Sequence, residues 1–397
     1  MDKISKINFN GLSGAGFFLI FRLVLFAILP YQVFLGYGDL INFFHVAQIP
    51  GWPYLHYWVE FPPIFPFVSE LLYRLVGGME WKYVYSLAGI FSIFDAGSIF
   101  VFWELTKKNG ALGAAKIRLF VYVLILCVFP YGWWYFEPMV VFFFLLAVYY
   151  VLGEKPVFFG AAIAVGFLLK VFPILVFIPA WLTHQKKSFV ISVSLFSIIV
   201  AAVFGLLWEY SPSFTPASIG SQNSKGSWET VWALLDGNMG TGNFGPLAER
   251  LEPSLAFEAR GNPARIPAII PLTVAGLAGF VVLLKLKNRS NQGRIAILGL
   301  GWSLLVLASP GWSPQWLLLI IPICLLVFPP GQAAIITGLM ILLNLAEWPL
   351  LISRGRIDML WTTIILRSSV LIILCLLFAQ TSLQNVDKTT FSGNIQP

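Results

Sequence analysis

Charge is what this chain has least of. Across 397 residues only 11% are Asp, Glu, Lys or Arg, where a soluble domain carries about 25%. A soluble globule of this length would have too few polar groups to cover its surface, so a soluble enzyme and a disordered scaffold are both excluded. Cysteine is nearly missing: Cys127, Cys324 and Cys375 all lie in apolar runs, which excludes a disulfide framework and a cysteine zinc site. The three histidines are too scattered for a ligand cluster, and no metal site is expected. Period-2 alternation is absent, which excludes an outer-membrane barrel. There is no internal repeat and no Gly-rich nucleotide loop.

What is present is apolar sequence, 58% of the chain. Runs of roughly 17–23 residues recur from Gly14 to Gln380, each long enough to cross a hydrocarbon core of about 30 Å. The fold class that follows is an all-α polytopic integral membrane protein, one domain over residues 1–397. The basic N-terminus, Met1 to Lys6, precedes a run from Gly14 to Tyr37 that is too long for a cleaved leader. It reads as a first span with a cytoplasmic N-terminus.

Segment 62–76 is the exception. It is short, opens on Pro62-Pro63, and carries Glu70 and Arg74 four residues apart. If it crossed, Lys107, Lys108, Lys116 and Arg118 would fall outside, against the rule that short basic loops stay cytoplasmic. It reads as an interfacial helix on the outer face. The remaining spans then fall at about 83–105, 116–135, 137–152, 156–169, 171–183, 188–209, 267–286, 294–309, 313–328, 331–352 and 358–380. With the first, that makes roughly twelve. Both termini are cytoplasmic, most Lys and Arg lie inside, and most acids lie outside. Two long outer loops stand out, at about 36–82 and 210–267, and long loops tend to carry function.

Acids, bases and aromatics gather on that outer side. Asp39 ends Gly-Tyr-Gly-Asp where the first span leaves the membrane. It serves either as the N-cap of a short helix at 40–48 or as a general base of raised pKa. Glu60 precedes Phe61-Pro62-Pro63, whose prolines hold it near the membrane surface or leave it an ordinary solvated acid. Lys170, in Lys-Val-Phe-Pro173, sits in a tight turn at the bilayer edge, as a functional cation or a snorkelling one. Arg354 and Arg356 could clamp a phosphate or anchor lipid headgroups. Ser309 to Gln315 is a broken outer turn whose freed carbonyls Gln315 could satisfy. His45, Tyr54, His56, Glu137 and Trp312 complete the candidate substrate-binding residues. Asp95 and Arg367 lie mid-span at similar depth; each needs a partner there, and a structural ion pair is the expected role.

In this order and sidedness the motifs resemble a membrane glycosyltransferase of the GT-C superfold, nearest to glycosyltransferase family 87, over most of the chain. Asp39 matches that family's first-loop Asp. Glu60-Phe61-Pro62-Pro63 matches its acid before Tyr-Pro-Pro, with Phe in place of Tyr. Lys170 and Pro173 match Lys-x-x-Pro, and Ser313, Pro314 and Gln315 match Ser-Pro-Gln. Phe136 and Glu137 match an aromatic-acid pair in which Asp is more usual. The resemblance implies a polyprenyl-phosphate sugar donor, mannose foremost, used on the outer face of the plasma membrane with inversion. The acceptor would be a lipid or glycan hydroxyl. Asp39 would be the base, with Glu60 as the second candidate, and Lys170, Arg354 and Arg356 would stabilise the lipid phosphate. The lipid-linked sugar is itself a substrate, and no cofactor or nucleic-acid partner is implied. The alternative is a secondary transporter or lipid flippase. That reading fits the spans but expects midplane sites on repeated broken helices.

Overall fold

The computed structural model describes residues 9–108, 112–239 and 244–384; the basic segment Met1 to Lys6 lies outside them. Among the described residues the chain is helical, with isolated bridges and no strand. Helix α1 (Gly11–Ile28) opens on a capping box in which Asn10 accepts from the backbone of Leu12 and Ser13 and the Ser13 hydroxyl accepts from Asn10 N. It stops short of the expected Tyr37 because Pro30 brings no N–H and disfavours helix before it. The remainder becomes a separate turn, α2 (Tyr31–Leu35). Helices α3 (Leu40–Ala47) and α4 (Ile64–Leu75) follow in the first long connection.

Beyond them come α5 (Glu80–Lys107) and α6 (Leu112–Val128), where Pro130 cuts the expected 116–135 span and leaves α7 (Tyr131–Trp134). Helices α8 (Glu137–Leu152) and α9 (Pro156–Leu169) coincide with their sequence-based ranges, each carrying a proline in its first turn. A 3-10 turn at Phe172–Val176 leads into α10 (Phe177–Thr183), and then α11 (Lys186–Tyr210). The second long connection holds α12 (Phe214–Gly220) and α13 (Val231–Asp236). The chain closes with α14 (Ile269–Leu284), α15 (Asn291–Ala308), α16 (Leu317–Val327), α17 (Pro330–Leu345) and α18 (Leu360–Leu383). Beyond Leu345 the last turns of the expected 331–352 span widen, and Trp348 leaves helical geometry (φ −133°, ψ 123°) beside Pro349.

Helix α11 shows what solvent the molecule lives in. Ser192 is its one buried residue, and apolar side chains such as Ile198 (65% exposed) cover the rest. A helix apolar on all sides that protein does not bury is covered by lipid. Five segments are long and apolar enough to cross a bilayer: Gly11–Ile28, Glu80–Lys107, Lys186–Tyr210, Pro330–Arg354 and Ile357–Leu383. Five shorter apolar helices of 10–17 residues accompany them. This is a helical membrane protein. Helix α4, with 12 residues, spans about 18 Å and is too short to cross. It is two-faced, burying Phe65, Pro66, Ser69 and Glu70 and exposing Leu71 and Leu75.

One group of helices packs α1 on α5, α5 on α8, α8 on α9 and α9 on α11; another packs α15 on α14, α16 and α18. Helix α16, buried at every residue, joins them by touching α5, α6 and α8 as well as α15 and α17. The two long connections fold onto one another. Trp58 N donates to Arg250 O (3.0 Å), Trp58 Nε1 to Glu249 O (3.0 Å), and Val59 N to Ser218 Oγ (3.1 Å). Together they form a cap over one end of the helices.

Candidate functional site beneath the cap

Asp39 is placed by its backbone. Its N–H donates to Trp134 O at 3.0 Å, and the preceding Gly38 lies so close that an added Cβ would fall 2.8 Å from Trp134 Cα. Asp39 does occupy the N-cap position of α3, yet its side chain makes no capping bond. The capping role is therefore not exercised. Among the described residues its carboxylate accepts one hydrogen bond, from the exposed Asn42 amide at 3.2 Å. Burial pushes the half-buried Asp39 carboxyl up to about 6, against the Asn42 hydrogen bond. The negative charges of Glu137 and Glu60 add to the rise, and Lys170 opposes it.

Glu60 has the opposite setting. Arg250, from the second loop, grips it with both terminal nitrogens, Nη2 reaching Oε1 at 3.0 Å and Nη1 bonding Oε2. Burial alone would raise this carboxyl, but the Arg250 charge and hydrogen bonds, with Lys225 beyond, hold it below its ordinary range. The sequence offered Glu60 as a second base. In the structure Glu60 is committed to a two-point ion pair that fastens the loops together, whereas the Asp39 carboxyl is raised toward neutral pH.

Glu137 begins α8 and is fully buried; Lys170 ends α9 and bonds it directly. The Lys170 ammonium sits 5.2 Å from the Phe136 ring, 5.5 Å from Trp316 and 5.7 Å from Phe172. Phe43, Phe61, Phe65 and Phe136 form a continuous aromatic wall beside it, with Phe65 and Phe136 stacked at 4.2 Å. A small cavity opens against that wall, lined by Phe43, Tyr57, Glu60, Phe61 and Ser69 among others.

The three cations expected to clamp a phosphate, Lys170, Arg354 and Arg356, sit in different settings, and Lys170 is bonded to the buried Glu137. Both arginines are exposed in the turns before α18, and Arg356 turns to Asp358 at 3.0 and 3.1 Å. Lys225 feels the charges of both Arg250 and Lys170, and sequence reasoning passed over Lys225 and Arg250. Both lie in a long polar loop with no motif around them, and only the folding of that loop brings them in.

The other candidates divide. Tyr54 is buried in a turn at φ +69°, its hydroxyl donating to Phe61 O at 2.8 Å. His56 is exposed, its Nδ1 accepting from Trp52 N at 3.0 Å, and His45 is exposed on α3. Trp312 is fully buried beneath the Arg367 guanidinium, 4.7 Å away, and both line a second small cavity with Thr230 and Leu371. Gln315 does not satisfy the broken turn; Asn344 donates to Pro314 O there, at 2.8 Å.

Asp95 and Arg367 are paired, as burial demands, but not with each other. Asp95 faces Arg22 across 3.8 Å. Arg367 bonds Glu347 and also the backbone carbonyl of Glu229. Burial and the neighbouring Glu347 raise the Glu229 carboxyl well above its ordinary value, and through Arg367 this second group rests on Trp312, itself in ring contact with Trp302 and Trp316. No family model, no curated protein and no solved structure matches this chain.

Proposed function

We propose that this protein is a membrane glycosyltransferase of GT-C type. In this reading the chain crosses the plasma membrane about twelve times with both termini cytoplasmic, and the capped end faces outward. It transfers a sugar, mannose foremost, from a polyprenyl-phosphate donor to a hydroxyl of a lipid or glycan acceptor. One observation carries the reading: Asp39 is a half-buried carboxylate that caps nothing and is raised to about 6 by burial, Glu137 and Glu60, with Lys170 opposing the rise. That is the protonation behaviour a base needs to be ionised yet effective near neutral pH. Glu60, held ionised by Arg250, cannot compete with it for the proton.

The acceptor oxygen attacks the anomeric carbon from the side opposite the phosphate, and the bond from that carbon to the phosphate oxygen breaks. The acceptor proton moves to Asp39 and the configuration inverts. The departing phosphate passes from one negative charge to about two, so nearby cations favour the transition state more than the bound donor. The apolar bundle suits a donor whose tail stays in lipid while its sugar reaches the cap.

The test is incubation of the purified full chain with radiolabelled polyprenyl-phosphate mannose and a mixed lipid acceptor extract. Release of polyprenyl phosphate that depends on Asp39 supports transfer. Intact donor moved across vesicles without consumption would instead identify the transporter or flippase.

A further inference from the structure

The cations under the cap are strung along a line of aromatic rings. Lys170 lies against Trp316, whose ring meets that of Trp228 at 6.5 Å. Lys225 sits 5.2 Å from Trp228 and 4.2 Å from Phe244. Phe244 meets Trp58 at 5.4 Å, and Arg250 lies 5.8 Å from Phe244 and 5.0 Å from Trp58. Two of these three cations are already neutralised, Lys170 by Glu137 and Arg250 by Glu60. Lys225 makes no ion pair and no hydrogen bond from its ammonium among the described residues. Its backbone is nonetheless held: Gly226 N donates to Arg260 O at 2.6 Å and Arg260 N to Ser224 O at 2.7 Å. An added Cβ on Gly226 would lie 2.6 Å from Arg260 O, so the two segments touch.

We propose that Lys225 is an anion anchor whose ammonium binds the phosphate of a phosphate ester entering beneath the cap. A half-buried charge resting on two rings is incompletely compensated, and an anion supplies what the protein leaves out. Burial also lowers the Lys225 pKa, with Arg250 and Lys170 adding to this against Glu60 and Asp39; a bound anion opposes that shift. The inference deepens the proposed transfer reaction. It rests on that reading for the identity of the phosphate ester, and on the unpaired cation for the existence of the site.

The experiment is equilibrium binding of radiolabelled polyprenyl monophosphate to the purified full chain in detergent, with polyprenol and inorganic phosphate as competitors. Polyprenol should not compete. Competition by inorganic phosphate as strong as that of the lipid would keep the anchor and assign it to soluble phosphate esters. Lys225→Gln should weaken binding at least about 10-fold, the loss of one charge-assisted bond, and Lys225→Arg should stay within about 3-fold. A folded Lys225→Gln protein that binds like the wild type overturns the anchor. A second measurement needs no variant: bound polyprenyl monophosphate should slow acylation of Lys225 relative to the exposed Lys186, and equal slowing at both would also overturn it. Sugar transfer unaffected by Lys225→Gln removes the anchor and leaves the transfer reading. Lys225-dependent binding without any sugar transfer keeps the anchor and removes the transfer reading.

Discussion

Glu60 and Arg250 lie 190 positions apart and meet in a two-point ion pair, at 13% and 6% side-chain exposure. The pair closes the cap by joining the two long connections. It also draws one carboxylate out of the acid-base chemistry and so leaves Asp39 alone. Arg250→Met should strand Glu60 as an unpaired buried charge and cost about 3–5 kcal/mol. It should be read as a lower Tm in detergent, with Glu60→Leu in the same chain recovering part of the loss. No recovery would mean that the pair does not hold the cap.

Asp39→Asn keeps size and removes basicity. Turnover of the lipid-linked sugar should fall by about 10²–10⁴, while Tm at neutral pH should hold or rise because the buried charge is gone. Near-normal turnover would place the base elsewhere.

The raised Asp39 pKa has two consequences with opposite signs. The rate should climb as pH rises through about 6, since the base works deprotonated. Stability moves the other way. The folded state binds this proton more tightly than the unfolded chain does, so the contribution is complete below about 4, the ordinary carboxylate value. It is lost as pH passes about 6. Rate and Tm profiles of wild type and Asp39→Asn, compared from pH 4.5 to 8, would check both limbs. The variant should lack each of them.

Gly38→Ala should push the Asp39 turn away from Trp134, because the new Cβ would lie 2.5 Å from Trp134 Cβ. A loss of about 1–3 kcal/mol is expected, together with a lower kcat. Gly16→Ala, inside α1 where nothing lies within 4 Å, is the control and should leave kcat unchanged and stability unchanged or up to about 1 kcal/mol higher.

Arg354 and Arg356 are exposed and Arg356 is engaged with Asp358, so Arg354→Gln and Arg356→Gln should each change turnover less than about 2-fold. Lys170→Met leaves the buried Glu137 carboxylate without its partner and should depress both Tm and turnover. Large, equal effects of all three on donor affinity would restore the clamp expected from sequence.

The amino-acid sequence by itself determined the solvent and the local architecture. Apolar runs bounded by Pro130 and by the prolines that begin α8 and α9 set helix ends, because backbone geometry and hydrogen bonding act within a few residues. The Glu70–Arg74 pair, at 2.7 Å, was legible for the same reason: its partners are one helical turn apart. Asp39 stood out by its place at the end of the first apolar run. Only tertiary structure decided that it caps nothing, that Glu60 is spent on Arg250, that Arg367 answers Glu347 and not Asp95, and that Lys225 joins the site. Each of those pairings spans from 20 to 190 positions or depends on how a long polar loop lies. A charge in a loop carries no sign of its partner until packing fixes the distance and removes the water between them.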